Sequence, residues 1–206
     1  MAGVIITEGA DTAAIADWLE ARLQGALYAC EGRLAICVPG GSTPFPIMEE
    51  LTRRDLDFTR LEVWPGDDRI VPEDHPASNT GKLRALFEPV GAQVVGLDLA
   101  ACPPHFTLTW LGMGGDGHVA SLFPNTDPQV DDPQSVRRLT PDPLPPEAPF
   151  DRITLTISAL LDSDEVLLVI RGDDKREVFD AGLRGEHDLP VARLLRAADQ
   201  PVTCFA

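Results

Sequence analysis

Residues 34–44 read Leu-Ala-Ile-Cys-Val-Pro-Gly-Gly-Ser-Thr-Pro. Positions 34–38 are all apolar, which is typical of a parallel strand that is buried on both faces. The paired glycines then predict a turn, and Pro44 suits the first turn of a following helix. This order of strand, loop and helix recurs along the chain. It predicts an α/β fold: an open, mainly parallel, Rossmann-like sheet with helices on both faces.

Similar apolar runs predict further strands at 61–64, 106–111, 152–156 and 166–170. Amphipathic segments predict helices at 12–28, 44–53, 79–87, 118–122, 158–161, 175–183 and 191–196. Residues 124–149 are rich in proline and aspartate, so we expect an irregular surface excursion there. Ligands of open α/β sheets bind beyond the carboxyl ends of the strands. The loops that follow strands are therefore the places to look for a site.

The composition predicts one α/β domain over residues 1–206. The chain is 44% apolar with a mean hydropathy of −0.03, which excludes a disordered tail and a chain dominated by membrane spans. Its net charge is −16, the opposite of the basic surface that binds nucleic acid. We expect neither a nucleic-acid nor a membrane partner, and a monomer or weak homodimer.

The cysteines predict a reducing compartment. Cys30, Cys37, Cys102 and Cys204 are widely spaced and form no C-x-x-C pair, so we interpret them as core thiols. The first eight residues have neither a basic segment nor an apolar stretch long enough for a signal peptide. Both observations indicate the cytoplasm.

Three strand-to-helix loops carry the candidate chemistry. In the first, residues 38–44, the glycines allow a ligand close to the backbone, and Ser42 and Thr43 either cap the helix or donate hydroxyls. An anion site at the helix N-terminus and an ordinary capped turn both fit this loop.

The second loop, residues 64–72, contains Asp67, Asp68 and Arg69 and continues to Ser78 and Asn79. The carboxylates suit the orientation of substrate hydroxyls, while the guanidinium suits phosphate. The alternative is a solvated acidic turn with a surface ion pair and an Asn or Ser cap on the next helix.

The third loop, residues 111–124, reads Leu-Gly-Met-Gly-Gly-Asp-Gly-His-Val-Ala-Ser-Leu-Phe-Pro. It contains the G-x-G-x-x-G spacing of dinucleotide sites, but the acidic strand end that such a site needs about 20 residues later is replaced by the proline-rich stretch. What remains is a backbone that wraps a small ligand and presents Asp116 and His118 at a helix start.

His118 is the strongest candidate for catalysis, because His75, His105 and His187 lie in polar or proline-flanked contexts. An imidazole at a strand end suits general base catalysis near neutral pH, which is worth on the order of 10²–10⁴ in rate. A capping or packing histidine is the alternative. Metal binding is less favoured, because no second His or Cys stands nearby at a ligand spacing.

Two cations stand at later strand boundaries. Arg152 opens one strand, and Lys175 follows another at a predicted helix start, where the helix dipole disfavours a cation. An unfavourable placement hints at function, whereas a solvated surface charge is the plainer interpretation of each residue.

Taken together, these loops resemble the 6-phosphogluconolactonase family, within the wider superfamily of glucosamine-6-phosphate deaminases and isomerases. The resemblance runs in chain order through residues 40–44, 66–72 with 78–79, 112–124, 152–156 and 172–175. The third loop is its most specific part. One departure is Asp68, where the family's commonest form has Glu.

The resemblance implies hydrolysis of 6-phospho-D-glucono-1,5-lactone to 6-phospho-D-gluconate in the oxidative pentose phosphate pathway. It implies a small sugar phosphate as ligand, with no metal and no organic cofactor. By this analogy His118 is the catalytic residue, which we expect to act as general base on water, and Asp67 and Asp116 orient it or the sugar hydroxyls. The implied substrate- and phosphate-binding residues are Gly40, Gly41, Ser42, Thr43, Arg69, Gly115, Ser121, Arg152 and Lys175.

Two rival functions are less well supported by the sequence. The deaminase branch carries Phe-Asn-Glu after His-x-Ala, and its Glu assists ring opening, whereas residues 121–123 here read Ser-Leu-Phe. A sugar-phosphate-sensing regulator usually adds a DNA-binding segment and can lose the histidine. This chain has His118 and no spare length for a basic helix-turn-helix.

Overall fold

The computed structural model describes residues 3–144 and 148–206. The strands are β1 (Val4–Thr7), β2 (Leu34–Val38), β3 (Leu61–Pro65), β4 (Asp67–Arg69), β5 (Gln93–Val94), β6 (Leu108–Leu111), β7 (Val136–Leu139), β8 (Arg152–Leu155), β9 (Val166–Val169) and β10 (Val202–Phe205). The helices are α1 (Thr12–Ala29), α2 (Pro44–Leu51), α3 (Asn79–Phe87), α4 (Ile157–Leu161), α5 (Asp173–Leu183) and α6 (Pro190–Ala197).

The larger sheet has seven parallel strands in the order β1-β10-β9-β6-β2-β3-β5. Alternate residues of β2 point to opposite faces, as the strand geometry requires. Leu34, Ile36 and Val38 pack into a core with α1, α2 and α3. Ala35 and Cys37 pack into a second core with α4, α5 and α6. The predicted parallel sheet with helices on both faces is confirmed.

A smaller antiparallel sheet, in the order β4-β8-β7, continues from the carboxyl end of β3. Its connection to β3 is direct, because Leu155 N donates to Gly66 O at 2.9 Å. Within this sheet Arg69 is the cross-strand partner of Arg152. The smaller sheet therefore brings two guanidinium groups to the end of the larger sheet where ligands are expected.

Most predicted elements are confirmed, with ends that differ by a few residues, but the helix predicted at 118–122 is wrong. This segment forms a turn held by single bridges from Met113 to Val119 and from Val119 to Leu122. Gly117 and Ala120 both have positive φ, at 77° and 49°. A right-handed helix does not accommodate that backbone conformation.

The prediction that residues 124–149 are wholly irregular is also wrong, because β7 lies within them and pairs with β8. Residues 134–140 contain no proline, so this part of the segment retains the backbone donors that a strand needs. The strands β1, β4, β5 and β10 were not predicted either. Each has five residues or fewer, which leaves little periodicity to read.

Two of the four cysteines depart from the core-thiol prediction. Cys37 and Cys204 are buried, whereas Cys30 and Cys102 are exposed, and all four are free thiols. Neither exposed cysteine lies within a strand of the sheet. Separately, no helix in the described ranges combines the length and apolar character that a membrane span requires.

Candidate active site

A cleft of about 360 Å³ opens at the carboxyl ends of β2, β3, β6 and β9. Ten of the twelve predicted site residues line it: Gly40, Gly41, Ser42, Thr43, Asp67, Arg69, His118, Ser121, Arg152 and Lys175. Asp116 and Gly115 do not line it and lie exposed on the outer side of the turn that carries His118.

A compact glycine turn holds His118. Gly114 N donates to His118 O at 2.9 Å, and Gly117 N donates to Gly114 O at 3.0 Å. The imidazole lies directly against Gly114, where a Cβ atom would be 2.2 Å from ring atoms. Only glycine fits this position. The positive φ of the non-glycine Ala120 places backbone strain two residues after His118, a feature that concentrates at functional sites.

His118 is oriented by Asp116. Its Nδ1 lies 2.6 Å from Asp116 Oδ1, and this hydrogen bond holds the pKa of the Asp116 carboxyl below its usual value. An ionised carboxylate only accepts hydrogen bonds, so Nδ1 carries the proton of a neutral imidazole and Nε2 keeps its lone pair. The Phe123 ring packs on the imidazole with centroids 4.7 Å apart. The arrangement leaves one ring nitrogen free to accept a proton.

Asp67 lies deeper, on β4, and is nearly buried. Its Oδ2 accepts a hydrogen bond from Ser121 Oγ at 2.5 Å, and its main-chain oxygen accepts one from Asn79 Nδ2 at 2.9 Å. Burial raises the pKa of the Asp67 carboxyl, while the Ser121 bond and the Arg69 charge oppose the rise. Its hydrogen bonds run to Ser121 and Asn79 rather than to the imidazole of His118.

Asp68 points away from the cleft and caps α3. Its two carboxylate oxygens accept from Asn79 N at 2.6 Å, Thr80 N at 2.8 Å and Ser78 Oγ at 3.2 Å. The expectation that both adjacent carboxylates orient substrate is therefore wrong for Asp68. The alternative interpretation of this loop is correct about the cap, because Ser78 accepts from Gly81 N as the N-cap. It is wrong about solvation, because Asp68 is buried.

Arg69 and Arg152 form a pair of like charges across two strands. Arg152 is 3% exposed and donates to the main-chain oxygens of Ala148 and Phe150. Arg69 Nη1 donates to Asn79 Oδ1 at 2.6 Å, and its Nε is buried without a hydrogen-bond partner in the described part of the chain.

Burial and the Arg69 charge lower the pKa of Arg152. Facing like charges destabilise a sheet. Within residues 3–144 and 148–206, neither guanidinium makes an ion pair with a carboxylate. The pair is therefore suited to an anion in the cleft.

The first loop leaves the N-terminus of α2 without a side-chain cap. Thr43 stands at the N-cap position, and its side chain makes no capping hydrogen bond. Gly40 packs against the Asn79 amide, where a Cβ would be 2.2 Å away, and Gly41 has φ of 107°. The ordinary capped turn is not what forms here. Pro44 and Pro46 carry no N–H, so this helix start offers an anion few amides, and Ser42 and Thr43 supply its hydroxyl donors.

The opposite wall carries two more cations. Lys175, the third residue of α5, is half-buried and lines the cleft, so the solvated-charge interpretation does not fit it. Arg171, which sequence reasoning missed, also lines the cleft and donates to Ala10 O at 2.6 Å. The available signal was its place two residues after the end of β9. Asn79, recognised only as a possible cap, contacts both Arg69 and the glycine loop.

His118 and four cations, Arg69, Arg152, Arg171 and Lys175, border a single cleft at the ends of parallel strands. No group of three or more His, Cys, Asp or Glu side chains in the described residues is arranged to hold a metal ion. This fold and site define an α/β protein with a cleft suited to a small anionic ligand.

A family model described as glucosamine-6-phosphate isomerases/6-phosphogluconolactonase matches residues 7–98 and 91–203. The chain belongs to this family.

Named relatives agree with this assignment. A 6-phosphogluconolactonase of Pseudomonas aeruginosa is 36% identical over 200 residues, which covers 85% of this chain and 83% of the relative. One of Neisseria meningitidis serogroup B is 32% identical over 215 residues, covering 92% and 90%. The crystal structure of a 6-phosphogluconolactonase from Shewanella baltica matches with a TM-score of 0.83 at 26% identity, covering 98% of this chain and 97% of that chain.

Proposed function

We propose that this protein hydrolyses 6-phospho-D-glucono-1,5-lactone to 6-phospho-D-gluconate, with His118 as the general base. Its relatives named 6-phosphogluconolactonase support lactone hydrolysis in the pentose phosphate pathway. The observation that carries the proposed role is the 2.6 Å bond from His118 Nδ1 to Asp116, which leaves Nε2 to accept a proton in the cleft.

The proton inventory of the reaction balances on one imidazole. His118 Nε2 removes a proton from water as the water oxygen attacks the lactone carbonyl carbon. The tetrahedral oxyanion then collapses and breaks the bond to the ring oxygen, which takes the proton back from Nε2. His118 thus ends as it began, and a positioned base of this kind contributes on the order of 10²–10⁴ to the rate.

The cleft offers donors for both parts of the proposed substrate, the phosphate and the lactone carbonyl. A phosphate monoester is matched by the hydroxyls of Ser42 and Thr43 and by the cations Arg69, Arg152 and Lys175. We expect donors of the glycine loops that line the cleft to stabilise the developing oxyanion. Although the net charge is −16, four cations line this cleft, which favours an anionic ligand there.

Phe123 supports hydrolysis over deamination. Its ring packs against His118 at the place where the sequence resemblance puts the acidic segment of the deaminases. An apolar ring transfers no proton, so the ring-opening assistance that deamination needs has no carboxylate at this position. Phe123 instead covers one side of the imidazole.

The test is lactonase activity on freshly generated substrate, followed by coupling to 6-phosphogluconate dehydrogenase and corrected for spontaneous hydrolysis. We expect His118→Ala to lower kcat by roughly 10²–10⁴-fold while the variant stays folded by circular dichroism. His105→Ala is the matched control, because His105 is exposed, pairs with Asp162 and Asp164, and does not line the cleft.

Each outcome bears on a different part of the proposal. A wild-type rate equal to the spontaneous rate would remove the lactone as substrate. Full activity in folded His118→Ala would keep the substrate and exclude His118 as the base. A loss shared equally by His105→Ala would point to a general effect of removing a histidine.

We also propose that the protein acts in the cytoplasm. All four cysteines are free thiols, and two of them are exposed, which fits a reducing compartment. Fractionation of cells that express the tagged chain checks this, and recovery outside the cytoplasmic fraction would contradict it.

A further inference from the structure

The start of α6 packs against the turn that carries His118. Val191 N donates to Gly117 O at 3.0 Å, and Gly117 is the residue directly before His118. The Leu189 side chain lies so close to Gly117 that a Cβ there would be 2.9 Å from it. The position of the His118 backbone therefore depends on the placement of residues 189–191.

The other side of His118 depends on a different segment. The Phe123 ring packs on the imidazole, and Phe123 O accepts from Thr126 N at 3.0 Å and from Thr126 Oγ1 at 2.8 Å. These bonds close a short 3-10 turn, Pro124–Thr126. The residue that follows it, Asp127, has φ of 45°. The placement of Phe123 therefore depends on how Asp127 is held.

Arg193 connects the two segments with one guanidinium. Its Nη1 donates to Asp127 Oδ1 at 2.6 Å and to Pro128 O at 3.0 Å. Its Nε donates to Asp188 O at 3.1 Å and to Asp188 Oδ2 at 3.0 Å. The side chain is 22% exposed, and it does not line the cleft.

We propose that Arg193 is a positioning residue for the reaction, holding His118 from two sides. One route runs through Asp188 and the start of α6 to Gly117. The other runs through Asp127 and the 3-10 turn to Phe123. The inference rests on the proposed role of His118, and it assigns to Arg193 the fixed placement of the imidazole rather than any contact with substrate.

The plainer interpretation is a surface ion pair, which contributes about 0–1 kcal/mol to stability and nothing to activity. The geometry differs from such a pair in two respects. Two of the acceptors are main-chain oxygens, on Pro128 and Asp188, so the fork fixes backbone as well as side chains. The acceptors also lie on segments more than 50 residues apart in the chain.

Arg196 offers a matched control on the same helix. It bonds to Asp188 Oδ1 and to His187 O, so it shares one partner with Arg193. Its bonds run only to the α6 side and leave Asp127 and Pro128 untouched. Removal of either arginine deletes one surface cation, but only removal of Arg193 releases the 3-10 turn.

We expect Arg193→Ala to lower kcat roughly 10-fold with KM within about twofold, because a small displacement of a catalytic group acts on the rate more than on binding. Arg196→Ala is expected to keep both constants within about twofold of wild type, as its contacts are those of a surface pair. Arg193→Lys, which keeps the charge without the fork, is expected to fall between them. ¹⁵N NMR of the His118 ring supplies a second readout, in which Arg193→Ala shifts the imidazole away from the Nδ1-protonated tautomer.

The two proposals fail in distinguishable ways. If wild type does not hydrolyse the lactone, the proposed function fails, and the His118 ring signals still decide whether Arg193 positions the imidazole. Unchanged ring signals in folded Arg193→Ala would overturn the positioning role. So would a kcat loss that Arg196→Ala shares, or one that follows the unfolded fraction as temperature is raised.

Discussion

The segment after β3 and the loop after β6 both carry carboxylates near the cleft, but they place them in opposite surroundings. Asp67 and Asp68 are 9% and 6% exposed, and Asp68 is committed to the amides of α3. The Asp116 side chain is 51% exposed and bonds to His118. Burial raises the pKa of Asp67, whereas the His118 bond lowers that of Asp116. Partners and burial, rather than residue type, give these carboxylates opposite pKa shifts.

The same division explains where backbone strain is found. The segment after β3, from Pro65 to Asn79, has no positive φ at a described residue, and its side chains are held by several hydrogen bonds. The loop after β6 has positive φ at Gly117 and Ala120, and Val191 at the start of α6 donates a hydrogen bond to it. Asp68 is held by its immediate neighbours, whereas the turn that carries Asp116 and His118 also packs against a distant segment, the start of α6.

The largest expected effect is loss of stability at Asp68. Asp68→Ala leaves the buried amides of Asn79 and Thr80 without acceptors, and we expect the free energy of unfolding to fall by about 3 kcal/mol. Urea denaturation measures the change. Asp74→Ala, which removes an exposed carboxylate from the same loop, is expected to change stability by less than about 0.5 kcal/mol.

This experiment tests whether the Asp68 carboxylate stabilises the start of α3. A stability loss at Asp68 no larger than at Asp74 would mean that water or a rearranged α3 replaces the carboxylate. The buried loop would then be no more structural than the exposed one.

The next effect concerns activity, at Asp116. Asp116→Asn keeps the shape and removes the charge that fixes the His118 tautomer, so we expect kcat to fall roughly 10–100-fold, less than for a fully buried acid of this kind. Stability is expected to change by less than about 1 kcal/mol, because the pair is partly exposed. Coupled lactonase kinetics and urea denaturation of the same preparation check both statements.

Asp131→Asn is the control, since Asp131 is an exposed aspartate of another loop and does not line the cleft. If Asp116→Asn proves as destabilising as Asp68→Ala, the distinction between the loops fails. An unchanged kcat would show that the glycine turn alone orients the imidazole.

The sequence predicts this fold well wherever elements are long or wholly apolar. The run 34–38 gives β2 with the same bounds as in the structure, and α3 is likewise predicted residue for residue. The helix predicted at 118–122 is wrong, because positive φ at Ala120 belongs to a strained turn that helix propensity does not predict. The strand β7 was missed because prolines on both sides of its proline-free run made the whole segment look irregular.

The candidate site is predicted less evenly, because residue type does not reveal the direction of a side chain. Neighbours Asp67 and Asp68 look equivalent in sequence, and only the strand that they form sends one towards the cleft and the other towards α3. Arg171 gave a weak signal, since many arginines follow strands without lining a site. Arg193 gave none, because its contacts join segments that lie far apart in the chain.

The smallest expected effect is a pH dependence at Asp67. Burial raises the pKa of this carboxyl above its value in the unfolded chain. Well below the ordinary Asp pKa of about 3.9 the group is protonated in both states. As the pH rises, the unfolded chain loses the proton first, so ionisation favours unfolding until the raised pKa of the folded state is passed. Asp67→Asn does not ionise and still offers Ser121 an acceptor, so it should gain stability relative to wild type as the pH rises from 4 to 8.

Urea denaturation of both proteins across that pH range measures the difference, with Asp131→Asn as an exposed control that should show no gain. A difference that stays flat would mean that the Ser121 bond and the Arg69 charge together offset burial at Asp67. A difference of opposite sign would place Asp67 with Asp116, as a carboxylate stabilised in its ionised form. A gain in stability that grows with pH would support the contrast between the two loops. Burial would then dominate the pKa of Asp67, and the bond to His118 that of Asp116.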